Sequence, residues 1–97
     1  MKIMISQPMS GKTDEQIYEE RKDLIRYLES KGHEVVNTIF TEEPPQNADR
    51  GIWYLAKSIE VMSQVDAMYF MTGWGDARGC IVERLVAQKY GKIILEG

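Results

Sequence analysis

The chain has 97 residues, of which 43% are hydrophobic and 28% charged, and its formal net charge is -3. This is ordinary composition for one globular domain, without the basic surplus of a nucleic-acid-binding protein. Its single cysteine excludes an intrachain disulfide and fits a reducing cytoplasm, and no apolar run approaches the roughly 20 residues of a membrane helix. We therefore expect one cytoplasmic domain over residues 1–97, with neither nucleic acid nor a membrane as a partner.

Short apolar segments alternate along the chain with amphipathic helical segments. Strands are predicted at 2–5, 34–37, 66–71 and 92–95, and helices at 13–31, 51–64 and 80–90. Such alternation is typical of an α/β fold with a parallel sheet, and the crossovers between its strands are right-handed. We expect a flavodoxin-like or Rossmann-like three-layer sandwich with four parallel strands in the order 2-1-3-4.

The first helix carries both a start signal and a core face. Thr13 followed by Gln16 is a capping-box pattern. Ile17, Leu24 and Leu28 line one face of the helix, while its charged residues fall largely on the other. This segment is therefore expected to pack on the sheet as an ordinary amphipathic helix.

The second helix contains the run Ile52-Trp53-Tyr54-Leu55, which puts apolar surface on more than one of its faces. Ile52 and Leu55 have core spacing, but a sheet this small covers only one face of a helix. Exposed apolar patches mark interfaces, so we expect a homo-oligomer. The alternative is that the long loop over residues 38–50 covers Trp53 within one chain. An interaction protein that acts through its helices would rest on the same aromatic pair.

The stretch SQPMSGKT, residues 6–13, ends like a phosphate-binding P-loop. Ser6 stands where that motif needs its first glycine, and Pro8 has no N–H to offer a phosphate. The stretch is therefore not a triphosphate loop. In the predicted topology, ligands bind outside the carboxyl ends of the first and third strands. The loops at 6–12 and 72–79 should face one crevice there.

The segment TGWGDARGCIVERL, residues 72–85, supplies candidate acids for that crevice. Glu83 follows about one turn into the third helix, near the positive end of the helix dipole, which favours its ionised form. With Asp76 in the loop before it, the pair resembles the two carboxylates that split a glycosidic bond. Alternatively, Glu83 is a solvated helix residue, although its neighbours Val82 and Leu85 are expected to be buried. Asp76 in a Gly-Asp context is also typical of a turn.

Three further side chains of this segment carry weaker signals. Cys80 is the only thiol, has no partner by spacing in His33, and is expected to be a small buried hydrophobe. Trp74 could stack on a base or close its loop over the core. Arg78 could meet a 5′-phosphate or be a surface charge.

The segments MKIMISQPMSGKT, LESKGHEVVN and VDAMYFMTGWGDARGCIVERLVAQKYGKIIL together resemble the nucleoside 2-deoxyribosyltransferase superfamily, most closely its short phage-associated and bacterial members. The most specific part is Gly79-x-x-x-Glu83 after a strand that begins at Asp66. The resemblance implies that Glu83 is the nucleophile, which attacks the anomeric carbon and forms a glycosyl-enzyme. By position it also implies ligand contacts from the first loop, at Ser6, Gln7, Pro8, Met9 and Gly11.

Two positions depart from the pattern of that family. Ser58 stands where characterised transferases carry a helical aspartate, and Ala77 where they carry an aspartate or a serine. Our first hypothesis is an enzyme that cleaves or transfers at the N-glycosidic bond of a nucleoside or nucleoside 5′-monophosphate. Glu83 would attack and Asp76 would protonate the base. Trp74, Arg78 and Gly79 would join the first loop in binding the ligand. The alternative is a nucleotide-binding module without turnover, and neither hypothesis calls for a metal ion or a cofactor.

Overall fold

Four strands and three helices alternate along residues 1–97, all of which are described by the computed structural model. The strands are β1 (Lys2–Ser6), β2 (Glu34–Val36), β3 (Ala67–Phe70) and β4 (Ile93–Glu96), and the helices are α1 (Asp14–Ser30), α2 (Arg50–Met62) and α3 (Arg78–Lys89). Each predicted element is present, with ends displaced by one or two residues, as is usual for helix and strand boundaries. A 3₁₀ turn at Trp74–Asp76 lies in what was predicted as an irregular loop. None of the helices combines the length and apolarity needed to cross a membrane.

The four strands form one parallel sheet in the order β2-β1-β3-β4, which confirms the predicted topology. β1 is central, because Ile3 lies opposite Val35 of β2 on one side and Ala67 of β3 on the other. α1 packs on one face of the sheet, and α2 and α3 pack on the other. Right-handed crossovers require this arrangement when the chain first turns to β2 and then returns past β1. The carboxyl ends of β1 and β3 are therefore neighbours at the point where the strand order reverses.

α1 begins where its capping box predicts. The Thr13 hydroxyl accepts a hydrogen bond from the Gln16 backbone N–H at 3.2 Å, and the Gln16 side chain accepts one from the Thr13 N–H at 2.9 Å. Two backbone donors that the helix itself cannot satisfy are thereby paired. The helix stops before Gly32, whose φ of 88° suits glycine in the turn that follows.

Alternation along β1 divides the core into two halves. Ile3 and Ile5 point toward α1 and pack with Leu28, whereas Met4 points toward α2 and α3 and packs with Met62. Burying each such side chain fully contributes about 1.5–3 kcal/mol relative to leaving it exposed. The same alternation continues past the strand, so Ser6 falls on the α2–α3 side and Gln7 on the α1 side.

The outward faces of α2 and α3 differ from prediction. Ile52, expected in the core, is 67% exposed, and Val82 and Leu85, expected to be buried, are 38% and 52% exposed. The buried stripe of α3 is instead formed by Cys80, Glu83 and Ala87, at helical spacing. Cys80 and Ala87, at the two ends of that stripe, are small and let α3 approach the sheet closely. Glu83 between them is therefore buried, and the larger Val82 and Leu85 face outward.

Candidate active site

Five polar or charged side chains are buried in this domain, and they meet around the carboxyl end of β1. They are Ser6, Gln7, Arg21, Thr38 and Glu83, referred to below as the buried polar cluster. Buried polar groups need hydrogen-bond partners, and a concentration of them at a topological switch point is typical of a binding or catalytic site.

Glu83 is the acidic member of the cluster and is 7% exposed. The Ser6 hydroxyl donates a 2.5 Å hydrogen bond to its Oε1. Burial raises the pKa of the Glu83 carboxyl, and the hydroxyls of Ser6 and Ser58 and the charge of Arg21 oppose that rise only in part. Ser58 of α2 lies near enough to influence the carboxyl, but only Ser6 makes a hydrogen bond to it. The carboxyl is therefore held in place by neutral donors and is not consumed in a direct ion pair.

The direction of this pKa shift is opposite to the one expected from the helix dipole. The effect of the helix dipole is strong only within the first turn of a helix. α3 begins at Arg78, so Glu83 is its sixth residue and lies beyond that turn. Loss of water around the carboxylate outweighs the remaining field of the helix. Glu83 is thus buried on the sheet side of α3, and the alternative of a solvated helix residue is wrong.

Arg21 of α1 is the basic member of the cluster and is 2% exposed. Its Nε donates to Oε1 of Gln7 at 2.7 Å, and its Nη1 donates to the hydroxyl of Thr38 at 3.0 Å. Its Nη2 is buried without a hydrogen-bond partner. Burial lowers the pKa of Arg21, and the charge of Glu83 partly restores it.

Gln7 links the cluster to the surface of α1. Its oxygen accepts from Arg21, and its amide nitrogen donates to the backbone oxygen of Ile17 at 3.1 Å and to Glu20 at 2.8 Å. Glu20 also receives Lys12 at 2.9 Å. Both amide hydrogens are therefore engaged within the protein, so Gln7 fixes the first loop onto α1.

Cys80 lies beside the acid. The thiol is buried, as its prediction as a small hydrophobe requires. Burial raises the pKa of the Cys80 thiol, the nearby Ser6 hydroxyl opposes that rise, and the charge of Glu83 adds to it. The thiol is therefore uncharged at neutral pH and serves as packing next to the carboxyl.

The two loops that the topology brings together do line one crevice. The Met71 N–H donates to the Ser6 carbonyl at 3.0 Å, and Pro8 lies in van der Waals range of Gly73, 3.5 Å from where a Cβ would stand. Gly11 has a φ of 76°, which glycine adopts without strain. Residues of both loops border a recess of about 300 Å³ on the α1 side, formed by Gln7, Pro8, Lys12, Glu20, Leu24, Tyr69, Met71, Thr72 and Gly97. Glu83 faces the opposite side of the same strand end, and Met9 is half-buried in the first loop.

The remaining candidates of the second loop lie outside that recess. Trp74 packs edge-on against Phe70 with ring centroids 5.9 Å apart, and the Arg84 guanidinium lies 4.2 Å from its ring centroid. Asp76 is exposed at the end of the 3₁₀ turn, outside the hydrogen bonds of the buried polar cluster. Arg78 is exposed at the start of α3, where its guanidinium lies 3.4 Å from the position a Cβ would take on Gly51.

A second, wider recess of about 940 Å³ runs along the outer side of α1. Six of its 8 lining residues are charged or polar, namely Lys12, Asp14, Glu15, Gln16, Glu19 and Glu20, and Tyr18 and Ile39 complete the lining. This recess lies away from Glu83, and its lining is open and charged. It therefore does not suit a reaction that depends on a buried carboxyl group.

Gly79 lies in the first turn of α3, and a Cβ built on it would meet no other atom within 4 Å.

Sequence reasoning missed two members of the buried polar cluster: Arg21, whose charge acts on the acid, and Thr38, which binds Arg21. Arg21 had a detectable signal, because it continues the stripe of Ile17, Leu24 and Leu28 at helical spacing. A charged residue on a core stripe is expected to be buried with partners. Thr38 carries no such signal, since its burial depends on how the segment after β2 closes over the strand ends, whereas Ser58 was marked only by its position in the pattern of the resembled family.

The fold and site together define a small Rossmann-like α/β domain with a buried carboxyl group at its switch point. The chain belongs to a family described as Domain of unknown function (DUF4406), whose model matches residues 1–96. Searches of curated proteins and of solved structures gave no match. Within the domain, no group of three or more histidine, cysteine, aspartate or glutamate side chains is arranged to hold a metal ion.

Proposed function

We propose that the protein cleaves or transfers at the N-glycosidic bond of a nucleoside or nucleoside 5′-monophosphate. The observation that carries this proposal is the Glu83 carboxyl, buried at the switch point and held by Ser6 at 2.5 Å without a direct ion pair. A carboxylate so placed is suited to covalent catalysis at a sugar carbon. The resemblance to nucleoside 2-deoxyribosyltransferases forms part of the same proposal.

The reaction proceeds by two displacements at the anomeric carbon. Ser6 engages Oε1, so Oε2 of Glu83 attacks, and the bond between the sugar and the base nitrogen breaks as the glycosyl ester forms. The base departs with the bonding electrons and takes up a proton, because an anionic base is a poor leaving group. Water then attacks the ester and releases the free sugar, or a second base attacks and becomes a new nucleoside. Either route restores the Glu83 carboxylate.

Asp76 is the proposed proton donor to the departing base. It is exposed in the 3₁₀ turn directly before α3, so it would approach the base from the outer side of the crevice. The proposed ligand contacts are those of the two loops: Ser6, Gln7, Pro8, Met9, Gly11, Trp74, Arg78 and Gly79. Among them Arg78 is an exposed cation suited to a 5′-phosphate.

The second candidate function is a nucleotide-binding module that does not turn its ligand over. One observation favours it: the group that α2 presents to Glu83 is the Ser58 hydroxyl, and the buried polar cluster contains no second carboxyl. A hydroxyl hydrogen-bonds a sugar well, but it is a far weaker acid than a carboxyl group and would protonate a departing base poorly.

We also propose that the domain forms a homo-oligomer in the cytoplasm. Ile52 of α2 and Ile81, Val82 and Leu85 of α3 are exposed apolar side chains on the same side of the sheet. Exposed apolar side chains grouped on one side of a domain are typical of interfaces. The loop over residues 38–50 does fold toward α2, where the Tyr54 hydroxyl donates to the Glu42 carbonyl at 2.9 Å and Trp53 is half-buried, but Ile52 remains exposed.

Incubation with a panel of nucleosides and their 5′-monophosphates separates the two functions. Free base, detected by chromatography, is expected from at least one ribo- or deoxyribo-compound, and a second added base should give a new nucleoside if transfer occurs. A panel that shifts the melting temperature but releases no base would support the binding module. A panel that gives neither response would contradict both.

The substitution Glu83→Gln tests the nucleophile. It keeps the size and hydrogen-bonding shape of the side chain but removes the charge that attacks, so base release should fall by several powers of ten. Ligand affinity should change far less. Glu60→Gln on the exposed side of α2 is the matched control and should release base at the parental rate. Unchanged turnover in Glu83→Gln would end the enzymatic assignment.

A further inference from the structure

Arg21 and Glu83 are the only two charged side chains that this domain buries. Both hydrogen bonds of Arg21 go to neutral groups, its Nη2 has no partner, and none of the ion pairs of the chain includes it. A buried cation without a carboxylate in contact is costly to the fold. Such an arrangement calls for a compensating negative charge nearby.

Glu83 supplies that charge from across the end of β1. Consecutive residues hold the two groups: Ser6 binds the acid on the α2–α3 side, and Gln7 binds the guanidinium on the α1 side. The attraction acts in both directions, since Arg21 favours the ionised form of Glu83 and Glu83 favours the charged form of Arg21. The strand end keeps the two groups apart while water is excluded from both, and Coulomb attraction is strong where water is absent.

We propose that Arg21 is a positioning residue that stabilises the negative charge of Glu83 from across the strand end and leaves its attacking oxygen free of an ion pair. The inference rests on the proposed function only where it describes the Glu83 carboxylate as the attacking group. A direct guanidinium–carboxylate pair would also stabilise the charge, but it would engage the carboxylate oxygens and lower their reactivity. Separation by one strand end provides the charge without that loss.

Four elements present groups to the Glu83 carboxyl. They are Arg21 from α1, the Ser6 hydroxyl from β1, the Ser58 hydroxyl from α2, and the Cys80 thiol from α3 itself. Burial is the largest influence and raises the pKa of Glu83. Of the opposing groups, only Arg21 carries a charge. Removing that charge should therefore raise the pKa of Glu83 further, while the hydroxyl contacts stay in place.

The test is a pH titration of the Glu83 side-chain carboxyl by NMR in protein labelled with ¹³C-glutamate, with Glu83→Gln used to assign the signal. In Arg21→Met the titration midpoint should move to higher pH. Arg21→Lys keeps a positive charge but not the planar fork, so its midpoint should stay closer to that of the parent. Arg26→Met, on the exposed side of α1, is the control and should leave the midpoint unchanged. An unchanged midpoint in Arg21→Met would overturn the proposal.

A double-mutant cycle covers the case in which Arg21→Met folds poorly. Gln7 and Thr38 lose their partner in both Arg21→Met and Arg21→Met/Glu83→Gln, so that loss cancels and only the coupling between the two charges remains. The loss of stability caused by Arg21→Met in urea unfolding should be smaller when Glu83 is already glutamine. Additive effects of the two substitutions would overturn the proposal. So would a double variant that folds as poorly as Arg21→Met alone. Since neither readout involves turnover, a failure of the proposed enzymatic activity would leave these results intact and separately interpretable.

Discussion

Glu83 is the only one of the chain's 15 acidic residues that the fold buries. Its carboxyl loses most of its water and keeps one short hydrogen bond from Ser6 in return. The ionised form of Glu83 is disfavoured as a result. The carboxylate that the proposed chemistry needs therefore lowers the stability of the folded state. Two measurable consequences follow, one for stability and one for rate.

Glu83→Gln should stabilise the domain at neutral pH. A folded-state pKa raised above the unfolded one means that the contribution of the carboxyl to stability is complete at low pH and declines as the pH rises through the raised value. Glutamine escapes that decline. The melting temperature of Glu83→Gln should therefore exceed that of the parent at pH 8, by about 4–8 °C for each kcal/mol of relief in a domain this size. The excess should shrink toward pH 4, and Glu60→Gln should show no such trend. A variant less stable than the parent at pH 8 would contradict this account.

In the proposed reaction, the pH dependence of base release should report the same carboxyl through a rate. The proposed nucleophile must be ionised to attack, so kcat/KM should fall as the pH decreases through the raised pKa of Glu83. The acid limb should consequently lie at higher pH than that of an ordinary exposed glutamate. It is measured with one active substrate across a buffer series, after confirming by circular dichroism that the fold persists. A rate that stays constant down to the ordinary range of glutamate would exclude Glu83 as the titrating group.

The turn between β3 and α3 is the element that sets the crevice. Gly73, just before the 3₁₀ turn, has a φ of 93°, a conformation that residues with a side chain rarely adopt. A Cβ there would stand 3.5 Å from Pro8, an ordinary contact, so space is not the constraint. Glycine is needed for the backbone conformation, which carries the chain over the first loop and into α3.

Gly73→Ala should destabilise the domain by about 1 kcal/mol, because alanine is strained in the left-handed region. Gly75→Ala is the matched control two residues away: its φ is not positive and nothing lies near its α-carbon, so its effect should stay within about 0.5 kcal/mol. Urea unfolding followed by tryptophan fluorescence measures both. Equal effects from the two substitutions would show that the turn does not depend on the conformation of Gly73.

At the scale of the whole molecule, α3 is amphipathic in an unusual sense. Its inner stripe holds a carboxyl group, and its outer side exposes Ile81, Val82 and Leu85. The amino ends of α2 and α3 adjoin, since Arg78 reaches Gly51, so exposed Ile52 extends the same side of the domain. This surface is the one we propose for self-association.

Leu85→Lys should weaken that association at least tenfold, because a charge would have to lose its water inside an apolar contact. Tyr27→Lys provides the control: Tyr27 is an exposed apolar residue on α1, across the sheet. Sedimentation equilibrium of the parent and both variants gives the dissociation constants. A parent that is monomeric at high micromolar concentration, or a Tyr27→Lys variant that weakens association equally, would argue against this surface.

Much of the fold was readable from the sequence because it depends on local patterns. Alternating apolar and amphipathic segments gave the element order, right-handed crossovers gave the strand order, and Thr13 and Gln16 marked the start of α1. The rotation of α3 was predicted wrongly, since periodicity shows that a helix has two sides but not which one meets the sheet. There, small Cys80 and Ala87 decided the matter over the larger Val82 and Leu85.

The site was predictable only in part for a related reason. Ser6 and Glu83 were expected to lie close together because topology brings their segments together, and a hydrogen bond does join them, although the recess between the two loops lies on the other side of the strand end. The stripe of α1 indicates that Arg21 is buried, but its partners Gln7 and Thr38, and the approach of Ser58 to Glu83, depend on contacts between distant segments that no single segment encodes. Asp76 was predicted from its residue type and is exposed, apart from the buried polar cluster. Its proposed role as proton donor is argued from the chemistry of the reaction.

The engagement of every polar atom of the Gln7 amide group bears on how this domain can evolve. Its oxygen serves Arg21 and its nitrogen serves Ile17 and Glu20, so replacing either Gln7 or Arg21 alone strands a buried donor or acceptor in the other. Descendant sequences should pass through such intermediates rarely and substitute the two positions together. In an alignment of relatives, positions 7 and 21 should therefore covary more strongly than position 21 does with its exposed neighbour on α1, Arg26. Independent variation at the two sites would show that the buried polar cluster can be rebuilt one side chain at a time.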